Sequence, residues 1–367
     1  MCVNCTNYSL PPSVNVDATQ WKANFKTSPT WNCNAAGTMT INTAAGTVSD
    51  TSCTLGTIDV STGVAQSTSG GPAVMVIRLS GLTVTNNHVI NITGSSPVIF
   101  LVDGNVLVDS GGKIDAGANI TTAGAGGSIA ANCSGSTGAN QSNSQAGGGG
   151  GGFGTAGGSG AGGTAAAGGA VSSGTNLQPL RGGCAGGTGG NGAGAGGAGG
   201  GAIEISASGT ITIGTGTNTA VVSAEGGGSP SVNSGQNVGS GGGGSGGGIL
   251  LVSPVAATIG SGGALRTHGG ASGASQGCSC NGNPSNGADN GQNGHSADNT
   301  AASGGASVDI NSAAGANGGL CAGNGCATAS AAGSNGKNAT VNVSESGGGG
   351  GGGRVVVTTG TSTTVCQ

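Results

Sequence analysis

The sequence predicts an all-β fold: a parallel β-helix solenoid whose long glycine-rich excursions form polyglycine II helices, the whole stapled by disulfides. Three observations carry that expectation. The chain has 88 glycines in 367 residues with only 5% charged residues, short apolar strands recur in similar units, and there are 11 cysteines.

Composition first removes the competing classes. A disordered chain stays open through net charge and low hydrophobicity, whereas here the formal net charge is −4 and the mean hydropathy +0.06. No Gly-X-Y period runs through the chain and it has only 9 prolines, so the preset backbone of a collagen triple helix is missing. Eight Lys and Arg in a weakly acidic chain give no cationic surface, so no nucleic acid is expected as a partner. No apolar run approaches the roughly 18 residues of a membrane-crossing helix, so no transmembrane segment is expected.

Residues 1–36 are expected to form an N-terminal segment and cap. YSLPPSVNVDATQWKANFKTSPTW holds both Trp residues and the only Tyr. Asp17 is placed to N-cap a short helix that lays Trp21 and Phe25 on one face. Residues 37–123 are expected to be the first coils. Runs such as TMTI, AVMVIRL, HVINIT, PVIFLVDG, NVLVDS and KIDAG alternate or are β-branched, with turn residues between them. The passages 97–118, 201–228, 248–271 and 353–367 then resemble one another. A self-similar unit of roughly 20–25 residues marks a solenoid, in which stacking of units creates the core. Coils are accordingly expected at 201–226 and 249–268, with an uncapped terminal strand at 353–367.

Between these lie the glycine-rich excursions 124–200, 227–248 and 269–352. As flexible linkers they would be tolerated, because loop-closure entropy grows slowly with length. As threefold helices packed without Cβ atoms, their N–H and C=O groups would be satisfied by neighbours. Ordering so many glycines is entropically expensive, so the packed form needs many contacts and cross-links.

The cysteines supply candidate cross-links. Eleven of them argue for a secreted or outer-surface protein. The count is odd, and Cys2, beside a Met1 that reads as an added initiator after removal of any signal peptide, is the candidate for lipidation or an interchain bond. Cys5, Cys33, Cys53, Cys133, Cys184, Cys278, Cys280, Cys321, Cys326 and Cys366 are the disulfide candidates, with connectivity open. Cys33 and Cys53 sit about one coil apart, and stacked coils bring residues to about 4.8 Å, within disulfide range.

The pattern GSGGGILLVSP followed by TIG, SGG and GG at 244–270, with its counterpart at 199–228, resembles the glycine-rich β-helix surface lipoproteins of gliding and predatory bacteria such as myxobacteria. The excursions are similar to the polyglycine-helix bundles of phage tail-fibre adhesins. What the resemblance implies is a surface location and a structural or adhesive role.

No catalytic signature emerges, so no enzyme is expected. Repeated GxGxxG is compositional noise, and Gly243-Gly244-Ser245-Gly246-Gly247 lacks the strand and helix of a nucleophile elbow. Asp103, Asp109 and Asp115 recur at spacing six, which places them at successive corners. Glu204 and Glu225 are weak candidates for paired carboxylates. Arg78, Lys113, Arg181, Arg266 and Arg354 are scattered, and His88, His268 and His295 read as residues of polar turns. Cys2-x-x-Cys5 has zinc-like spacing but stands among cysteines that oxidise first, and 281–299, with Asp289, His295 and Asp298, reads as a polar loop. No metal and no cofactor are expected.

The leading expectation is an extracellular structural or adhesive protein, self-associating head to tail into a fibre or binding a cell-surface or glycan ligand. The alternatives are an ice-binding protein, from the pairs Thr38/Thr40, Thr83/Thr85 and Thr210/Thr212, or a polysaccharide-binding or polysaccharide-cleaving β-helix.

Overall fold

The computed structural model describes residues 10–21 and 28–275, apart from 51, 54, 142–144, 163–165, 173, 175, 193, 216–218 and 233–237. It further describes 291–294, 302–304, 316–318, 322–323, 332–337, 346–360 and 362–366. Among these residues the chain is nearly all β, without an α-helix and with two disulfides.

Strands β1 (Thr30–Cys33), β2 (Gly37–Asn42), β3 (Thr47–Ser49) and β4 (Val60–Val64) come first. Successive triplets follow: β5 (Val74–Leu79), β6 (Gly81–Val84) and β7 (His88–Thr93), then β8 (Val98–Val102), β9 (Val106–Val108) and β10 (Lys113–Asp115). Two more are β11 (Ala202–Ala207), β12 (Ile211–Ile213) and β13 (Ala220–Ser223), and β14 (Gly248–Ser253), β15 (Ala257–Ile259) and β16 (Gly263–Arg266). The chain ends with β17 (Ala322–Gly323), β18 (Arg354–Thr359) and β19 (Ser362–Cys366).

The strands fall into three sheets, ordered β1-β6-β9-β12-β15, β3-β2-β7-β10-β13-β16-β17 and β4-β5-β8-β11-β14-β18-β19. Each triplet therefore gives one strand to each sheet, always in the order third, first, second, and pairs in parallel with the triplets before and after it. Register stacks like positions: Ile77, Phe100, Ile205 and Leu251 align in the third sheet, Val84, Val108 and Ile213 in the first, Ile90, Ile114, Val222 and Leu265 in the second. All of these side chains belong to one buried apolar cluster between the sheets. Trp31 enters it from β1 and meets Phe100 edge-on, ring centroids 6.4 Å apart. The turn from first to second sheet runs through left-handed residues, Asn86 and Asn87 (φ 55° and 61°) and then Ser110 and Gly111 (φ 50° and 84°), a conformation Asn and Gly adopt at low cost.

The outer face of the third sheet is buried as well, and largely apolar. Val74, Val76, Ile99, Leu101, Leu250 and Val356 form a second cluster with Val16, Phe153, Leu177 and Leu180. This is why β5, β8, β11 and β14 are buried along their whole length and not at alternate positions.

All three long insertions, 116–201, 224–247 and 267–353, leave after a second-sheet strand of a triplet and return at a third-sheet strand. In the stretches 147–152 and 242–247 the glycines are buried and bonded backbone to backbone. In 242–247 the amides rotate among three partners: Gly242 and Ser245 donate to Gly187 and Cys184, Gly243 and Gly246 to Gly348 and Gly351, Gly244 and Gly247 to Gly227 and Ala224. Carbonyls of the same stretch accept from Gly151, from Gly197 and Gly200, and from Gly270. The stretch 147–152 repeats the rotation, donating in turn to 158–161, 240–243 and 136–139.

Two expectations change. The terminal stretch 353–367 is a hairpin and not a single bare strand, for β19 pairs antiparallel with β18 and covers its edge. At its other end the third sheet is closed by antiparallel β4, and the second sheet by β3 and β17. Asp17 precedes a single 3-10 turn, Ala18–Trp21, in which the Thr19 amide and hydroxyl both donate to Asp17 Oδ1, at 2.9 and 2.6 Å. Such a local bond favours one tight turn over a longer helix. Phe25 lies outside the described residues.

Candidate functional site

Alternation along β10 puts Lys113 and Asp115 on the outer face of the second sheet, with Ile114 turned to the core. Parallel register places Asn91 beside Asp115 on one side and Ser223 on the other. Above them the glycine-rich insertions arch over the sheet, and the space left between is a cavity of about 400 Å³ lined by Asn91, Thr93, Lys113, Asp115, Glu225 and Asn293 among others.

Lys113 Nζ is 2.7 Å from Asp115 Oδ2. Asp115 Oδ1 accepts from Gly117 N at 2.9 Å and from the Ser223 hydroxyl at 2.8 Å. Burial pushes this carboxyl up, but the Lys113 ammonium and the hydrogen bonds from Lys113, Gly117 and Ser223 outweigh it and hold it below its ordinary value. A carboxylate so held accepts hydrogen bonds and does not donate protons near neutral pH.

Glu225 is buried, and its Oε1 lies 3.5 Å from His268 Nδ1. His268 Nδ1 in turn donates to the Gly294 carbonyl at 2.8 Å, which ties the sheet to the 291–294 segment. Asn293 closes the roof. Its Oδ1 accepts from Ile120 N and Gly228 N, at 2.8 and 2.9 Å, and its Nδ2 donates to Asn119 Oδ1 at 3.0 Å. Fixed carboxylates, an ammonium and carboxamides in a cavity of ligand size suit a ligand rich in hydroxyl groups.

The other expected residues are dispersed. Asp103 accepts from the Ser208 hydroxyl at 3.1 Å, and Asp109 from the Ser110 amide and from the amide and hydroxyl of Thr215, each at a different corner. Glu204 stands on the outer face of the third sheet, fully buried, its Oε2 accepting from Asn15 Nδ2 at 2.8 Å. It therefore does not converge with Glu225, which follows β13 of the second sheet. Arg78 pairs with Asp59, and the Arg354 guanidinium lies 5.6 Å from the Phe153 ring centroid in a cleft that Arg181 also lines. In the first sheet the outward column is Asn32, Thr83, Leu107, Thr212 and Thr258, a threonine ladder interrupted by a leucine.

Cys33 is bonded to Cys53 and Cys133 to Cys184, spanning sequence separations of 20 and 51. Cys366 ends β19, while Cys2, Cys5, Cys278, Cys280, Cys321 and Cys326 lie outside the described residues, as do Asp289, His295 and Asp298. His88 and His268 are not in polar turns but fully buried, each anchored through Nδ1 to a carbonyl, of Ala35 and Gly294 respectively. For His88 the signal was present in HVINIT, whose alternation makes it a strand residue. No helix among the described residues is long and apolar enough to cross a membrane.

No protein-family model, curated protein or solved structure matches the chain.

Proposed function

We propose that this chain is an extracellular adhesive element displayed at a cell surface: a disulfide-stapled parallel β-helix with a polyglycine II bundle on one corner and a glycan-binding cavity beneath it. The observation that carries the proposal is the three-residue rotation of hydrogen-bond donors in 242–247 and 147–152. A polyglycine II helix has about three residues per turn, so successive amides point to three different neighbours and one helix can be surrounded by six. The product is a stiff, nearly uncharged body built from backbone alone, suited to holding a binding face away from its anchor.

Disulfides at both the winding and the bundle fit an oxidising compartment. The resemblance to glycine-rich surface lipoproteins and to fibre-tip adhesins supports the same role, with Cys2 as the point of lipid attachment. Head-to-tail stacking would find two of the three sheets already closed by antiparallel strands at either end, which favours adhesion over fibre formation.

The test is binding of the purified chain to an array of neutral and acidic glycans, repeated with Asp115→Asn and Lys113→Gln. Hydrogen bonds to charged groups contribute about 1.5–3 kcal/mol, so each substitution is expected to weaken binding about tenfold or more. A wild-type chain that binds no glycan, or variants that bind as tightly as wild type, would refute the role of the cavity.

A further inference from the structure

At the N-terminal end of the winding four residues from separate segments meet at one corner: Cys33 at the end of β1, Asp50 and Cys53 after β3, and His88 at the start of β7. One ligand atom from each, two sulfurs, a carboxylate oxygen and a ring nitrogen, lies within 4.8 Å of all the others. The two sulfurs are bonded to each other in this state.

The other half of the cluster points to a cation. The side chains of Asp50 and His88 are fully buried, with Nε2 2.9 Å from Oδ2. Apart from each other, neither of these atoms has a polar partner. His88 Nδ1 lies 3.0 Å from the Ala35 carbonyl, with the Ser52 hydroxyl farther off at 3.4 Å. A carbonyl only accepts, so Nδ1 carries the ring proton. Nε2 and Oδ2 can then meet at 2.9 Å only with a proton or a metal ion between them. A backbone carbonyl that fixes one ring nitrogen as donor and leaves the other free is the usual support of a metal-ligating histidine. Asp50 is set in the same way: Oδ1 is held by the amides of Ser52 and Cys53, the latter at 2.9 Å, which leaves Oδ2 directed at the corner.

We propose that reduction of the Cys33–Cys53 bond turns this corner into a zinc site, with two thiolates, His88 Nε2 and Asp50 Oδ2 as ligands. A phosphine, with one water, breaks the S–S bond to give two thiols and the phosphine oxide, or a dithiol gives up two electrons and two protons and becomes a disulfide itself; Zn²⁺ then displaces the thiol protons to the buffer. Two sulfurs, one nitrogen and one oxygen are a donor set that tetrahedral zinc accepts. With Zn–S near 2.3 Å, a tetrahedral site needs the sulfurs about 3.8 Å apart, a small opening of the present cluster. In the oxidised state the sulfurs are joined and unavailable as thiolates. Either state staples β1 to the segment after β3, so the end of the winding stays fastened whichever way the compartment is poised.

The experiment reduces the full chain with tris(2-carboxyethyl)phosphine, removes the excess, and titrates it with Co²⁺ as a spectroscopic substitute for Zn²⁺. The reduced chain is expected to show thiolate-to-cobalt absorption that Zn²⁺ abolishes. Other cysteines are reduced too, so the site is read by difference. His88→Ala should bind one metal equivalent fewer than wild type. Asp50→Asn, whose amide oxygen keeps the bonds from Ser52 and Cys53, should weaken that equivalent tenfold or more. The unreduced chain should lack it. Equal metal content and affinity in wild type and both variants overturns the proposal, as does a reduced wild type without thiolate ligation of cobalt.

Discussion

Alanine at position 244 separates a packed glycine bundle from a flexible linker by the sign of its effect. A Cβ on Gly244 would lie 2.0 Å from the Ala198 carbonyl oxygen and 2.4 Å from the carbonyl carbon. Carbon atoms in contact sit about 3.5–4.0 Å apart, so the two segments must separate by more than an ångström. Nothing nearby yields easily, because Gly197 and Gly200 on the opposing segment donate to Gly242 and Ser245 at 2.8 and 2.9 Å. Separation also stretches the bond from Gly244 N to Gly227 O at 2.9 Å and that from Gly270 N to Gly244 O at 2.8 Å. Overpacking together with two weakened hydrogen bonds is expected to destabilise the fold by about 3–5 kcal/mol. A linker glycine behaves in the opposite way: alanine there stabilises by about 0.4–1 kcal/mol, by restricting the unfolded chain. Gly70→Ala serves as the control, since a Cβ there meets nothing within 4 Å and φ is +81°. It should cost only the left-handed strain of roughly 1–2 kcal/mol. Urea unfolding followed by circular dichroism gives the stabilities, and hydrogen exchange at 241–248 gives the local protection. A Gly244→Ala protein no less stable than wild type, or amides at 241–248 exchanging at random-coil rates, would refute the packed bundle.

Removing the Cys133–Cys184 bond by paired serine substitution releases a loop with a sequence separation of 51. The chain-entropy relation gives a loss of about 4 kcal/mol, to be measured by urea unfolding against the oxidised wild type; an unchanged midpoint would show that the bundle holds itself without this staple. Glu204 supplies a pH test. Burial pushes its carboxyl up, and hydrogen bonds from Ser13, Asn15 and Val14 offset this only in part, so the folded chain keeps the proton longer than the unfolded one. Its contribution to stability is therefore complete below the ordinary glutamate range near about 4.3 and is lost as pH rises through the elevated folded value. Glu204→Gln should gain on wild type as pH rises from 4 to 8 in matched unfolding curves, and a difference independent of pH would contradict the raised value.

Much of the β architecture was legible because strand alternation is local. In HVINIT and KID every second residue faces the core, and the glycine-led runs at 202, 248 and 354 each open a strand of the third sheet. The closing strands β3, β4 and β19 were not legible as closures, since period two does not distinguish a parallel from an antiparallel partner. AVMVIRL signals burial on both faces, yet nothing local names Phe153, Leu177 and Leu180 as its cover. The site divides in the same way. Lys113 and Asp115, two apart on a strand, were bound to share a face, whereas Glu225 and Asn293 reach the cavity from distant parts of the chain. Asp50 and His88 meet only because β2, β3 and β7 are neighbours in the second sheet.

The glycine bundle also raises the question of what stops it from growing. Each interior segment has donors and acceptors directed at neighbours on all sides, so a peripheral segment presents unpaired amides laterally, as an edge strand does. Asparagine side chains answer this at the margins. Asn140 Oδ1 accepts from Thr188 N at 2.9 Å, Asn335 Oδ1 from Ser159 N at 3.0 Å, and Asn317 Oδ1 from Gly304 N at 3.1 Å, all at exposed positions. Each carboxamide oxygen stands where the carbonyl of a further glycine segment would otherwise be. Asn293 does the same over the cavity, satisfying two amides at once. These four asparagines thus satisfy marginal amides with side chains that mimic peptide groups.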